Sequence, residues 1–237
     1  MTSATSLPPP LHRLLPHPAG PTTIRAAYDV DRPVHADRPW VGLCMVTSLD
    51  GSISLDGTSG TLGNPNDLDV LLTLRSLADL LIVGAGTARG EGYGPPKRPG
   101  QRIGVVTDRG SVDLDSELFT SRAGFVITNE QTEIDESRVD VLRAGRDRVD
   151  IAEALTRLGE IVPDVRYVQA EGGATLNAGL LDADLIDELD LTLSPHLVGG
   201  AGPRLTVGAN ESKRRFTLAH LLADDEGFVF SRWLRAC

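Results

Sequence analysis

Three stretches of the 237-residue chain carry residue types that can do chemistry. The first, VQAEGGATLNAGLLDADLIDEL from Val168, reads as a strand, then Glu171-Gly172-Gly173, then a helix starting near Thr175. Glycines at such a junction let the backbone approach a ligand closely, and the free N–H groups of a new helix meet it with the positive end of the helix dipole. A pyrophosphate cradle is one reading; a glycine required only by the geometry of the turn is the other. The second stretch, LLIVGAGTARGEGYG from Leu80, again sets Gly84 and Gly86 straight after a buried strand. It lacks the GxGxxG spacing, and no acid ends a following strand about 20 positions on, so a Rossmann dinucleotide fold is not supported. The third, TSLDG from Thr47 to Gly51, ends a strand with Asp50 and a glycine, for which a plain β-turn is the simplest account. With Arg75 and Arg98 available for an anion, these strand ends point to a small-molecule enzyme, since open parallel sheets bind ligands at the C-terminal ends of their strands.

Other polar residues read as structure. His196 and His220 fit strand positions, and Arg214 with Arg215 fits a solvated sheet edge. Asp182, Asp184, Asp187 and Glu188 sit on a helix and its exit, where their side chains fan apart, so no metal is expected. GxSxG, HExxH and Walker signatures are missing. Cys44 and Cys237 make neither a disulfide framework nor a zinc pattern, which suits a reducing cytoplasm. The formal net charge of −10 would repel a phosphate backbone, so no nucleic-acid partner is expected. The longest apolar runs fall well short of the roughly 20 residues a bilayer crossing needs, so no membrane is expected either.

Short β-branched runs alternate with helix-period segments, the pattern of an α/β domain with a mainly parallel sheet. Strands are expected at 41–47, 80–84, 103–107, 124–128, 139–142, 165–170, 188–194 and 227–234, and helices at 64–78, 151–158 and 174–181. In the first helix Pro65 stands just inside the start, and Leu68, Leu71 and Leu72 mark a buried face. The last two strands have no helix between them, so the sheet should turn antiparallel at its C-terminal end. Residues 1–38, rich in proline, read as an irregular arm, and residues 39–237 as one domain.

Together, PWVGLCMVTSLDG (Pro39–Gly51), Arg75–Gly94 with VGAGT inside it, and AEGG…LLDADLIDEL…SPHLVGG (Ala170–Gly200) resemble the pyrimidine reductase of riboflavin biosynthesis. That family forms the C-terminal half of the bacterial deaminase/reductase and has a dihydrofolate reductase-like fold. The resemblance covers roughly residues 38–235. It implies NADPH-dependent reduction of 5-amino-6-(5-phosphoribosylamino)uracil to the ribityl compound, in a protein that is often a homodimer. By position, Ser59, Arg75, Arg98 and Glu171 match substrate contacts. Thr47, Thr61, Gly84, Gly86, Thr87 and Glu91 match cofactor contacts, with Gly172, Gly173, Ala174, Thr175 and Leu176 for the pyrophosphate and Ser111 for the adenosine 2′-phosphate. Asp50 and Glu171 are the carboxylates placed to order the pocket or relay a proton, although Asp50 reads equally well as structural.

The chain departs from the family at Glu91-Gly92-Tyr93, where the bacterial pattern is Asp-Asp-Pro, and at Thr61, where it is aromatic. It has no HxE with PCxxC, which excludes zinc-dependent deamination. Two other readings remain: the same fold reducing another pterin or pyrimidine, dihydrofolate included, and a catalytically silent NADPH-binding sensory module.

Overall fold

Four consecutive apolar residues, Leu80–Val83, are all buried, as a strand covered on both faces must be. They lie near the middle of an eleven-stranded sheet in the computed structural model, which describes residues 8–236. In chain order the elements are β1 (Leu11–Leu15), β2 (Gly20–Pro21), α1 (Ile24–Tyr28), β3 (Trp40–Thr47), α2 (Pro65–Leu77), β4 (Leu80–Gly84), α3 (Ala85–Gly90), β5 (Arg102–Val106) and α4 (Glu117–Thr120). There follow β6 (Gly124–Thr128), β7 (Val141–Arg143), α5 (Ile151–Thr156), a 3-10 turn (Leu158–Glu160), β8 (Tyr167–Ala170), α6 (Ala174–Asp182), β9 (Glu188–Leu193), β10 (Phe216–Asp224) and β11 (Val229–Arg235).

The strand order is β2-β1-β10-β11-β9-β3-β8-β4-β5-β6-β7. From β9 to β7 every pairing is parallel, and from β9 through β11, β10 and β1 to β2 every pairing is antiparallel. This is the expected architecture, a mainly parallel sheet flanked by helices and antiparallel at its C-terminal end. The parallel connections bring the C-terminal ends of β3, β8 and β4 side by side.

Helix α2 starts where Asn64 accepts a hydrogen bond from the Asp67 N–H at 3.1 Å, with Pro65 in the first turn. Its buried face is Asn66, Val70, Thr73 and Leu74, not the expected Leu68, which is 54% exposed. The expected Leu71 and Leu72 are half-buried, so leucine spacing placed the buried face only in part. Strand β10 is missing from the expected strands, although His220 was placed on a late one. FTLAHLLAD is rich in good helix formers, and pairing with β1 and β11 overrides that propensity.

The irregular arm is corrected over residues 11–28. Leu11, Ile24 and Tyr28 are buried against Val70, Leu74, Leu222, Phe228 and Phe230, and β1 pairs with β10. Prolines 16, 18 and 21 occupy the turn and the edge strand, positions where a missing N–H costs little. Residues 1–7 of the expected arm lie outside the described residues.

The four clustered acids do fan apart. Asp182 accepts from Asn210, Asp184 pairs with Arg214 and Arg235, Asp187 with Arg38, and Glu188 with both Arg32 and Arg232. Among the described residues no group of acids, histidines or cysteines has the geometry to hold a metal. Burial pushes the Glu188 carboxyl up, but the hydrogen bonds and charges of Arg232 and Arg32 outweigh it and bring the pKa down to about 2. Two residues on, Asp190 has both oxygens buried without a partner, and burial and the Glu188 charge push its pKa well up. An acid whose folded pKa lies above its unfolded value, about 3.9 for Asp, costs stability as pH rises past that unfolded value. Asp190→Asn should therefore raise the melting temperature at pH 7 and change it little near pH 4, as scanning calorimetry at the two pH values will show.

Candidate active site

The two glycine junctions meet because β4 and β8 are parallel neighbours that end together. The Gly84 N–H donates to the Gly172 carbonyl at 2.6 Å. Gly172 has φ +79°, a conformation that favours glycine, and a Cβ on Gly173 would stand 2.6 Å from the Thr87 hydroxyl. Neither α3, capped by Gly84, nor α6, capped by Gly173, donates a first-turn N–H to a capping side chain, so their first N–H groups are free of that partner. A Cβ on Gly86 would meet nothing within 4 Å, so space opens directly in front of this floor.

That space is a cleft of about 220 Å³. Of the residues expected at a site, Ser59, Gly86, Thr87, Glu91, Glu171, Gly173 and Ala174 line it. Arg75 lines an adjoining cavity of about 240 Å³, which shares Ser59, Leu71, Glu91 and Tyr93 with the cleft. The Arg75 guanidinium grips Glu171 with two hydrogen bonds of 2.7 Å, and the Tyr93 hydroxyl donates to the same carboxylate at 2.6 Å. The guanidinium also lies 5.0 Å from the centre of the Tyr93 ring. The Glu171 side chain is 3% exposed, so this pair is held in a low-dielectric site, where removing one partner costs about 3–5 kcal/mol. Burial and the Glu171 charge push the Tyr93 phenol well up, so it stays a donor at neutral pH. Glu91 accepts from the Ser59 N–H at 2.6 Å, which ties the loop after β3 to the end of α3.

The other expected residues stand elsewhere. Arg98 donates to the Ala78 carbonyl at 2.7 Å, closing the end of α2 and not lining the cleft. Thr61 is exposed in a turn, and the Thr47 hydroxyl donates to the Ser48 carbonyl. Ser111 is exposed after β5, with its carbonyl on Arg89. Thr175 faces outward and Leu176 packs in the core, so at this end of α6 they offer only their backbone N–H groups. Gly84 and Gly172 stand behind the cleft as backbone supports. Sequence reasoning missed Met45, Asp67, Leu71 and Pro203 in the lining. Of these, Asp67 and Leu71 precede Arg75 by eight and four positions, a helical spacing visible in the sequence.

Asp50 is a loop anchor. It accepts hydrogen bonds from the Ser48 hydroxyl at 2.6 Å and from the Val198 and Gly199 N–H groups at 3.1 and 2.8 Å. These bonds hold its carboxyl well below the usual carboxylate range. Asp50→Ala should speed amide exchange at Val198 and Gly199 about tenfold or more, measured by hydrogen exchange with NMR detection.

Residues 39–230 match the family described as RibD C-terminal domain. A curated relative from Methanothermobacter thermautotrophicus, 2,5-diamino-6-ribosylamino-4(3H)-pyrimidinone 5′-phosphate reductase, is 28% identical over 208 residues, covering 76% of this chain and 94% of the relative. A relative of the same name from Archaeoglobus fulgidus is 26% identical over 213 residues, covering 81% and 96%. Among solved structures, a pyrimidine reductase-like protein from Corynebacterium diphtheriae superposes with a TM-score of 0.78 at 25% identity, covering 91% of this chain and all of that one. A cleft floored by paired glycine turns and walled by a buried glutamate held by a half-buried arginine thus sits within the matched residues, and the chain belongs to the RibD C-terminal domain family.

Proposed function

We propose that the chain is an NADPH-dependent oxidoreductase that reduces the ribosyl group of a phosphoribosylamino-pyrimidine to ribityl, acting in the cytoplasm as a homodimer. The observation that carries this reading is the cleft itself, where an open, glycine-floored helix N-terminus adjoins a half-buried arginine. The resemblance implies 5-amino-6-(5-phosphoribosylamino)uracil as substrate, whereas the curated relatives are named for the 2,5-diamino pyrimidinone. The two rings differ at C2, and both carry the ribosyl phosphate.

The residues present fit a dinucleotide. The floor has no Cβ at Gly86 or Gly173, and the N–H groups at the start of α6 suit a pyrophosphate. Gly86, Thr87, Gly173, Ala174 and the first-turn N–H groups of Thr175 and Leu176 would hold it. When bound, its nicotinamide supplies hydride to C1′ of the ring-opened ribosylamine. The chain supplies orientation and charge placement. Arg75, whose Nε and Nη2 hold Glu171, offers its charge and its Nη1 to a sugar phosphate. Glu171, fixed by Arg75 and Tyr93, orients the ribosyl side of the substrate, and Ser59 closes the adjoining cavity. Asp50 and Arg98 are engaged elsewhere and take no part in this reading. Among the described residues no helix is long and apolar enough to cross a membrane.

The test is loss of reduced-nicotinamide absorbance with each pyrimidine, NADPH run against NADH and dihydrofolate run in parallel. Oxidation of NADPH with either pyrimidine is expected. Turnover of dihydrofolate alone would favour the other reductase reading, and tight NADPH binding without turnover a silent module. Arg75→Lys keeps a charge for Glu171 but loses the fork, and should raise the KM for the pyrimidine by about 10- to 100-fold. Glu171→Gln should lower kcat by about 100-fold while leaving the Kd for NADPH within about threefold, read by steady-state kinetics and fluorescence titration.

A further inference from the structure

Asp67, Leu71 and Arg75 recur every fourth residue of α2, and together they line the cleft and its adjoining cavity. At 1.5 Å per residue the acid and the arginine stand about 12 Å apart along the helix axis, with an apolar residue between them. A molecule with a phosphate at one end and a flat base at the other fits such a face. If Arg75 takes the phosphate end, Asp67 faces the base.

Asp67 does not make the capping bond that its position in α2 would suggest. It is the third residue of α2, where an acid usually reaches back to the N–H of the capping residue. Here the cap works in one direction only, from the Asp67 N–H to Asn64, and no return bond to the Asp67 carboxyl forms. The carboxyl instead takes the Thr192 hydroxyl as its partner and lines the cleft together with Cys44, Val46, Ile53 and Leu71. Gly63 makes room for it, since a Cβ there would stand 2.3 Å from Oδ2. Burial pushes its pKa up, and the Thr192 hydroxyl draws it only partly back. A carboxylate in that position gains from any ligand that brings N–H donors.

We propose that Asp67 is a specificity residue that reads the edge of a 2-aminopyrimidin-4-one, so that the cleft prefers the ring still carrying its 2-amino group over the uracil. This rests on the reading of the cleft as a pyrimidine reductase site. In the 2-amino ring the exocyclic NH₂ and the adjacent ring N–H lie in one plane and point the same way, which matches the two oxygens of a carboxylate. In the uracil the NH₂ is replaced by a carbonyl, and one of the two hydrogen bonds becomes an oxygen–oxygen repulsion. An asparagine has one acceptor and one donor, so it suits the uracil edge and not the diamino one.

The experiment compares kcat/KM for the 2,5-diamino and uracil substrates in the wild-type protein and in Asp67→Asn. The wild type should favour the diamino substrate by about 10-fold or more, the scale of one bidentate pair. Asp67→Asn should lose that preference or reverse it, whereas a merely structural Asp67 would lower both rates together. An unchanged ratio in a folded variant overturns the proposal. If Asp67→Asn does not fold, Asp67→Glu, which pushes the carboxylate out by one methylene, should still shrink the ratio. Should the wild type reduce neither substrate, the function proposed above fails, and Asp67 is judged by NMR titration with 2-amino-4(3H)-pyrimidinone and uracil themselves. Preference for the former that vanishes in the variant supports a base-reading carboxylate; equal binding, or none, overturns it.

Discussion

The bidentate ion pair between Arg75 and Glu171 is the contact on which the cleft depends. Its members lie 96 positions apart, one on α2 and one just past β8, so the pair fixes a helix against the end of a strand. A carboxylate this deeply buried would cost several kcal/mol if left alone, and a single-point cation would satisfy only part of it. The guanidinium covers both oxygens, and the Tyr93 hydroxyl takes up a further lone pair. Gly92, at φ +64°, turns the chain back at the end of α3 and so delivers the Tyr93 ring. Helix, strand end and turn are therefore set by one another, and a shift in any of them breaks hydrogen bonds in the other two.

The floor of the cleft follows a different rule. There the chain removes side chains instead of adding them: Gly84, Gly172 and Gly173 let two strand-to-helix turns touch backbone to backbone. The polar groups left at the surface of this floor are N–H groups at helix starts, which carry partial positive charge without a titratable group. A chain of net charge −10 can in this way gather positive potential locally, with Arg75 close by, while the rest of its surface stays acidic.

Much of this was legible in the sequence, and the rest was not for identifiable reasons. Buried parallel strands such as Leu80–Gly84 and Gly124–Thr128 announce themselves because both faces are apolar. The glycine turns could be read one at a time, yet their contact depends on β4 and β8 being neighbours, which no local pattern states. Arg98 shows the limit of spacing: it stands at the right distance in the chain but spends its guanidinium on the last turn of α2. Asp50 was open between two roles, and the three donors it gathers, two of them from Val198 and Gly199 far along the chain, could not be read from its own neighbourhood. Tyr93 stood out only as a departure from a pattern; its use appears once Glu171 is folded against it. Proline content misled in the arm, because a proline count says nothing about the leucine and isoleucine between the prolines.

That arm changes what counts as the folding unit. The family match begins at residue 39, yet β1 covers the free edge of β10, and Arg32 supplies one of the two cations on the buried Glu188. A chain cut at the family boundary would present a nine-residue strand with an unpaired edge to its neighbours and leave Glu188 with Arg232 as its sole arginine. The stretch the family model matches is thus shorter than the sheet itself, and the added piece works as a built-in guard against edge-to-edge aggregation.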